Sequence, residues 1–285
     1  MNLTDMSALR PLMEKHGFRF SKALGQNFLI APWVPEDIAA ASGAGEGIGC
    51  LEIGPGVGCL TKELCRRAGK VISVELDERL LPVLHETVGE FSNLEIVPGD
   101  IMALDLERLV GEKLSGLEPI VAANLPYNIT TPVITKLLTC RLFRSITVMV
   151  QKEVADRICA GPGTGQYGAF TLLCDYYAGR EKLFAVPSAC FEPRPKVDSA
   201  VVRLTPRPSP PFPCDEALLF RAVRGAFNQR RKTLSNALAS AFPELGKGDI
   251  SAAVEGLGRG PSVRGEVLNL AEFARLTEEL EKLIK

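Results

Sequence analysis

Apolar positions along the first two thirds of the chain fall into short runs of strand length. The runs are Cys50-Leu-Glu-Ile53, Val71-Ile-Ser-Val74, Leu94-Glu-Ile-Val97, Ile120-Val-Ala-Ala123 and Ile146-Thr-Val-Met-Val150. Between them, apolar residues recur at helical spacing over Leu60 to Arg67, Glu78 to Val88, Thr131 to Leu138 and Glu153 to Ile158. Strands that alternate with helices predict a parallel sheet with helical crossovers, an α/β fold. Two later runs, Leu183 to Val186 and Ala200 to Leu204, read as a hairpin-like sheet edge. Residues up to about Pro35 carry no strong pattern apart from Ala23 to Ile30. The pattern then breaks at Pro206-Arg-Pro-Ser-Pro-Pro-Phe-Pro213. Five prolines in eight residues exclude helix and central strand, so this reads as a stiff, extended linker. Beyond it, Leu219, Val223 and Phe227, then Leu234 and Leu238, then Phe273, Leu276 and Leu280 recur at helical spacing. Two domains are expected: residues 1–206, and a small α-helical domain at 207–285.

Composition narrows the class. With 46% hydrophobic and 24% charged residues, the 285-residue chain is not of the intrinsically disordered type. No apolar run reaches the roughly 18 residues of a membrane-spanning helix. The start mixes Asp5, Arg10, Glu14 and Lys15 with apolar residues, unlike a secretory signal. None of the eight cysteines forms a C-x-x-C pair, and His16 and His85 lie far from any cysteine pair, so no metal site is expected. Cysteine as a small buried hydrophobe in a reducing, cytoplasmic interior is the simpler reading. Net charge is −1. Even so, Arg221, Arg224, Arg230, Arg231 and Lys232 fall in a short window without an acid. Such a patch suits phosphate, and also suits any solvated helix face.

Ligands of a parallel sheet bind beyond the carboxyl ends of its strands, so the residues there carry the chemistry. The first predicted strand ends Glu52-Ile-Gly-Pro-Gly-Val-Gly58 before a helix. Glycines permit a tight turn and close approach to a ligand, and a helix N-terminus adds partial positive charge. The turn fits a nicotinamide protein or no ligand at all, but G-P-G-x-G spacing more closely resembles the glycine loop of S-adenosylmethionine-dependent methyltransferases. Glu75 at the second strand end suits the two hydroxyls of a ribose. Asp100 after the third suits an adenine amine with Ile101 against the ring, or equally a helix N-cap. The fourth end reads Asn124-Leu-Pro-Tyr127. An exocyclic amine is a poor nucleophile because its lone pair is delocalised into the ring. Oxygen acceptors on its N–H groups favour a pyramidal nitrogen. The Asn124 side chain and the Leu125 carbonyl are candidates, the latter left exposed by Pro126, while Tyr127 offers a face for stacking.

These motifs resemble one family. Leu24-Gly-Gln-Asn-Phe-Leu29, Glu52-Ile-Gly-Pro-Gly56, Glu75, Gly99-Asp100, Asn124-Leu-Pro-Tyr127, Phe191-Glu-Pro-Arg-Pro-Lys-Val-Asp-Ser199 and Phe227-Asn-Gln-Arg-Arg-Lys232 with Leu234 and Asn236 are similar to those of the ribosomal RNA adenine dimethyltransferases. That family dimethylates two adjacent adenines near the 3′ end of small-subunit rRNA. The resemblance spans nearly the whole chain without departure at a motif position. It implies a Rossmann-like S-adenosylmethionine-dependent methyltransferase domain with a small C-terminal helical domain. It implies S-adenosyl-L-methionine as cofactor, bound by Asn27, Leu29, Gly54, Gly56, Glu75, Leu76, Asp100, Ile101 and Asn124. Around the target adenine it implies Asn124, Leu125, Pro126, Tyr127 and Phe191, with Tyr127 and Phe191 as aromatic walls. Taken by itself, Phe191 reads more simply as a core or surface aromatic. The basic window would meet rRNA phosphates, with a partly structural role for one arginine. The implied partners are small-subunit rRNA and the immature small subunit, with no membrane, for a cytoplasmic monomer. Two rivals are the large-subunit rRNA adenine dimethyltransferases, which fit Phe227 to Asn236 less well, and an assembly factor that acts by binding alone.

Overall fold

The computed structural model describes residues 1–17 and 27–284. In chain order its strands are β1 (Phe28–Leu29), β2 (Ile48–Ile53), β3 (Lys70–Glu75), β4 (Leu94–Pro98), β5 (Glu118–Asn124), β6 (Ser145–Gln151), β7 (Ala178–Val186), β8 (Phe191–Glu192) and β9 (Ser199–Pro206). The helices are α1 (Met6–Lys15), α2 (Trp33–Ala41), α3 (Cys59–Cys65), α4 (Leu81–Val88), α5 (Leu106–Lys113), α6 (Thr130–Thr139), α7 (Lys152–Ile158), α8 (Ala169–Tyr177), α9 (Glu216–Asn228), α10 (Leu234–Ala241), α11 (Lys247–Glu255) and α12 (Leu270–Ile284). Seven strands make one sheet in the order β4-β3-β2-β5-β6-β9-β7. β2 through β6 pair in parallel and β9 runs antiparallel to β6. β1 and β8 form a separate antiparallel pair, with Leu29 opposite Phe191.

Residue choice follows from burial on both faces. Every residue of β2 is buried, and β3 is buried from Val71 onward. Strands covered on both sides read as continuous Val, Ile and Leu runs rather than as alternation. The edge strand β4 is only half-buried. Strand order runs outward from β2 through β3 to β4, then restarts on the other side of β2 with β5 and β6. The carboxyl ends of β2 and β5 therefore flank a topological switch point. The late hairpin-like edge is present with a difference: β9 inserts between β6 and β7, and β8 leaves the sheet to pair with β1.

The N-terminal segment departs from expectation. α1 forms despite Pro11 in its interior, with Asp5 capping the Ser7 N–H and Leu9, Leu12 and Met13 buried. Ten residues broken by a proline are too short for a clear periodic signal. The motif residues Leu24 to Gln26 lie outside the described residues.

Contacts divide the chain into two units, residues 1–155 with 180–206, and residues 156–179 with 207–285. The expected cut at 206 alone leaves residues 156–179 on the wrong side of this division. Aromatic packing explains their allegiance. Tyr176 and Tyr177 of α8 meet Phe220 of α9 at ring centroid distances of 5.2 and 6.1 Å, and the Tyr167 hydroxyl donates to the Leu268 carbonyl at 2.7 Å. No proline-rich stretch marks where this insertion leaves and rejoins the sheet unit. The Pro206 to Pro213 segment itself is irregular beyond β9.

Within the second unit α9 and α10 approach closely at Gly225. A Cβ there would lie 2.5 Å from the Ala241 Cβ. Gly225→Ala is expected to lower stability by roughly 1–3 kcal/mol through overpacking. The check is a lower midpoint in thermal denaturation with an unchanged far-ultraviolet dichroism spectrum.

Candidate active site at the strand ends

Beyond Ile53 the backbone turns through Gly54, Gly56 and Gly58 at φ of 68°, 62° and 91°. These left-handed angles favour glycine over any residue with a Cβ. At Gly58, which caps α3, a Cβ would also meet Val88 at 2.8 Å. The turn brings the Gly56 N–H to the Glu75 carboxylate at 3.2 Å, and the Asp77 N–H reaches the other oxygen at 2.8 Å. Glu75 is buried, and burial raises its pKa above the ordinary carboxylate value. No cation pairs with it among the described residues. A buried carboxylate held only by backbone N–H groups keeps lone pairs for neutral hydroxyl donors. Leu76 beside it is exposed.

After β4, Asp100 accepts the Met102 N–H at 2.8 Å, so one oxygen organises its own turn, and Ile101 is buried. That turn is pinned from α6, where the Lys136 ammonium donates to the carbonyls of Ile101, Met102 and Leu104 at 2.9, 2.9 and 2.6 Å. At the end of β5 the Leu125 N–H donates to the Met149 carbonyl at 3.1 Å. The Leu125 carbonyl and the Asn124 side chain have no hydrogen-bond partner among the described residues. Thr130 steadies the turn by donating to the Pro126 carbonyl at 3.1 Å. The Tyr127 hydroxyl meets Ser199 Oγ at 2.7 Å. Phe191 is buried on β8.

One cleft gathers these residues, enclosing about 1170 Å³ with its open mouth included. Asn27 and Leu29, Gly54 and Gly56, Glu75 and Leu76, Asp100 and Ile101, Asn124 through Tyr127, and Phe191 all line it. Phe28, Glu52, Cys59, Asp77 and Leu80 also line it without having been singled out. Phe28 and Glu52 sit inside the motifs Leu24 to Leu29 and Glu52 to Gly56, so the sequence carries a signal for them. Asp77 is two residues past Glu75 and bound to Arg79 at 2.7 Å. Nothing in its spacing marked it.

The family model for ribosomal RNA adenine dimethylase matches residues 17–255. The chain belongs to that family. It is an rRNA adenine dimethyltransferase on a Rossmann-like methyltransferase fold. A ribosomal RNA small subunit methyltransferase A of Geobacillus thermodenitrificans is 45% identical over 281 residues, covering 97% of this chain and 96% of its own. Among solved structures, a dimethyladenosine transferase from Plasmodium falciparum aligns with a TM-score of 0.76 at 26% identity, over 89% of this chain and 97% of its own. The 23S rRNA methyltransferase ErmE aligns at 0.68 and 26%, over 90% of this chain and all of its own.

The enzyme's basic window is not uniform. Arg221 pairs with Glu244 at 2.7 Å, donates to the Ala241 carbonyl and lies 4.2 Å from the Phe242 ring centre. Arg230 pairs with Glu266 at 3.2 Å. Arg224, Arg231 and Lys232 are exposed and form no ion pair among the described residues. No helix among the described residues is long and apolar enough to cross a membrane.

Glu52 is the most perturbed carboxyl of the cleft. It is fully buried and accepts the Ser73 hydroxyl at 2.6 Å, and burial pushes its pKa up from 4.5 to about 7. A carboxyl that holds its proton more tightly folded than unfolded adds stability below its unfolded pKa and loses it as pH rises to the folded one. The loss across that window is on the order of 3 kcal/mol. Glu52→Gln is therefore expected to gain stability relative to the parent between pH 5 and pH 8. Thermal midpoints of both proteins across that range check it, and a gap independent of pH contradicts it.

Proposed function

We propose that this enzyme uses S-adenosyl-L-methionine to dimethylate N6 of two adjacent adenosines in the 3′-terminal hairpin loop of small-subunit rRNA, on the immature subunit. The carrying observation is the convergence in one cleft of a ribose-type carboxylate, two unpartnered oxygen acceptors and two aromatic residues. The donor-side residues fit an adenosyl ligand. Glu75 lies buried with no cation on it among the described residues and suits paired hydroxyls, while Gly54 and Gly56, which carry no Cβ, and the apolar Ile101 line the same cleft. Bound there, S-adenosylmethionine supplies a methyl group made electrophilic by its positively charged sulfur.

The chain's own residues supply position and polarity. The Asn124 side-chain oxygen and the Leu125 carbonyl accept the N–H groups of the target amine, drawing its lone pair out of ring conjugation. Tyr127 and Phe191 hold the base between two rings, which requires an unpaired or extruded adenine. Fixing donor and acceptor in line can be worth about 7–11 kcal/mol, and the oxygen acceptors stabilise charge that grows on nitrogen. Arg224, Arg231 and Lys232 carry the contact to RNA phosphates, while Arg221 and Arg230 brace the helical unit. The small-subunit substrate is favoured over the large-subunit one by the 45% identity to a small-subunit enzyme against 26% to the 23S enzyme.

The purified enzyme is expected to transfer labelled methyl from S-adenosylmethionine to unmethylated small subunits, giving dimethyladenosine in digested rRNA by mass spectrometry. Transfer to large-subunit RNA alone would reverse the substrate assignment. Asn124→Ala is expected to lower the turnover rate about 100-fold, with a smaller loss of donor affinity measured by calorimetry. Lys136→Met, which frees the Ile101 to Leu104 turn, is expected to weaken donor binding about tenfold in calorimetry with a smaller change in turnover.

A further inference from the structure

Asp198 and Ser199 close the motif that begins at Phe191, and Ser199 opens β9. Their backbone is fixed by the sheet. Ser199 pairs with Gln151 of β6, and the Lys152 N–H donates to the Asp198 carbonyl at 2.9 Å. From this anchored point the two side chains reach in different directions. Ser199 is fully buried, with its hydroxyl on the Tyr127 hydroxyl at 2.7 Å. The Asp198 carboxylate accepts the Ser188 N–H at 2.8 Å. Ser188 opens the 3-10 turn Ser188–Cys190, its carbonyl accepts the Phe191 N–H, and its hydroxyl accepts from Arg194 at 3.1 Å.

We propose that Ser199 is a positioning residue for Tyr127, and that the hydrogen bond between them sets the slot between Tyr127 and Phe191 for the second methyl transfer. The inference rests on the reading of those two rings as the walls of the acceptor slot. A stacked base leaves a lone aromatic ring free to pivot about its side-chain bonds. A hydrogen bond at the far end of Tyr127 removes that freedom, and a second contact from the adjoining residue steadies the turn that leads into Phe191. The first transfer is least sensitive to this, because an unmodified amine has two N–H groups to orient it. After one methyl is added a single N–H remains and the amine is bulkier. Orientation of the monomethyl base then depends more on the walls.

The experiment uses the full-length enzyme and unmethylated small subunits, with mono- and dimethyladenosine counted by mass spectrometry over time. Loss of one buried hydrogen bond is worth about five- to tenfold in rate. Ser199→Ala and Tyr127→Phe are each expected to slow the second transfer by about that factor and the first by less. The double variant is expected to be no slower than either single variant, and S-adenosylmethionine affinity to stay within about twofold throughout. Tyr127→Phe removes the same bond without touching β9, so a folding defect in Ser199→Ala leaves the test intact. Additive losses in the double variant, a parental product ratio in Tyr127→Phe, or donor affinity that falls in step with transfer would each overturn the inference. Tyr127→Ala separates it from the reading beneath it. Full activity there removes the wall assignment altogether, whereas lost activity there with a parental ratio in Tyr127→Phe removes the positioning role alone.

Discussion

Parallel pairing of β2 with both β3 and β5 is the constraint on which the site depends. Because the three strands run the same way, their carboxyl ends open on one side of the sheet. Because chain order reverses across β2, the loops that follow β2 and β5 turn away from each other and leave a crevice. Four loops with no sequence neighbours in common thereby deliver a glycine turn, two carboxylates and an amide to one place. The buried runs of Val, Ile and Leu serve this end, since a sheet sandwiched between helices holds its strand ends in fixed relation.

Most of this was legible because the information is local. Cys50 to Ile53 and Ile146 to Val150 announce strands as short apolar runs, and β2 through β6 and β9 each begin within two residues of the expected start. By contrast, β7 begins at Ala178, five residues before the Leu183 run, and the two-residue β1 and β8 carry no run of their own. The strand-end motifs could be read because the fold class dictates where ligands sit, so that Glu75 and Asn124 gained meaning from position as much as from type. Phe191 was different. Read as a residue it looked structural, and only the family resemblance placed it at the cleft. Its pairing with Leu29 joins positions far apart in the chain, and no local pattern encodes that.

The same limit applies to elements fixed by distant contacts. α1 is brief and carries Pro11, so its period never establishes itself. Residues 156–179 join the helical unit through Tyr167, Tyr176 and Tyr177, whose partners Leu268 and Phe220 lie far along the chain. Arg221 and Arg230 look alike in a basic window with Arg224, yet their acidic partners Glu244 and Glu266 lie 23 and 36 residues onward. Long-range charge pairing sets Arg221 and Arg230 apart from Arg224, Arg231 and Lys232 within one basic window.

The two-residue ribbon formed by Phe28–Leu29 and Phe191–Glu192 carries a thermodynamic consequence. Phe28 and Leu29 line the cleft from one strand and Phe191 from the other, so two of its walls share backbone hydrogen bonds. The pairing joins segments more than 160 residues apart in the chain without any strand of the large sheet between them. A change of free energy that displaces one of these walls is therefore felt directly at the other.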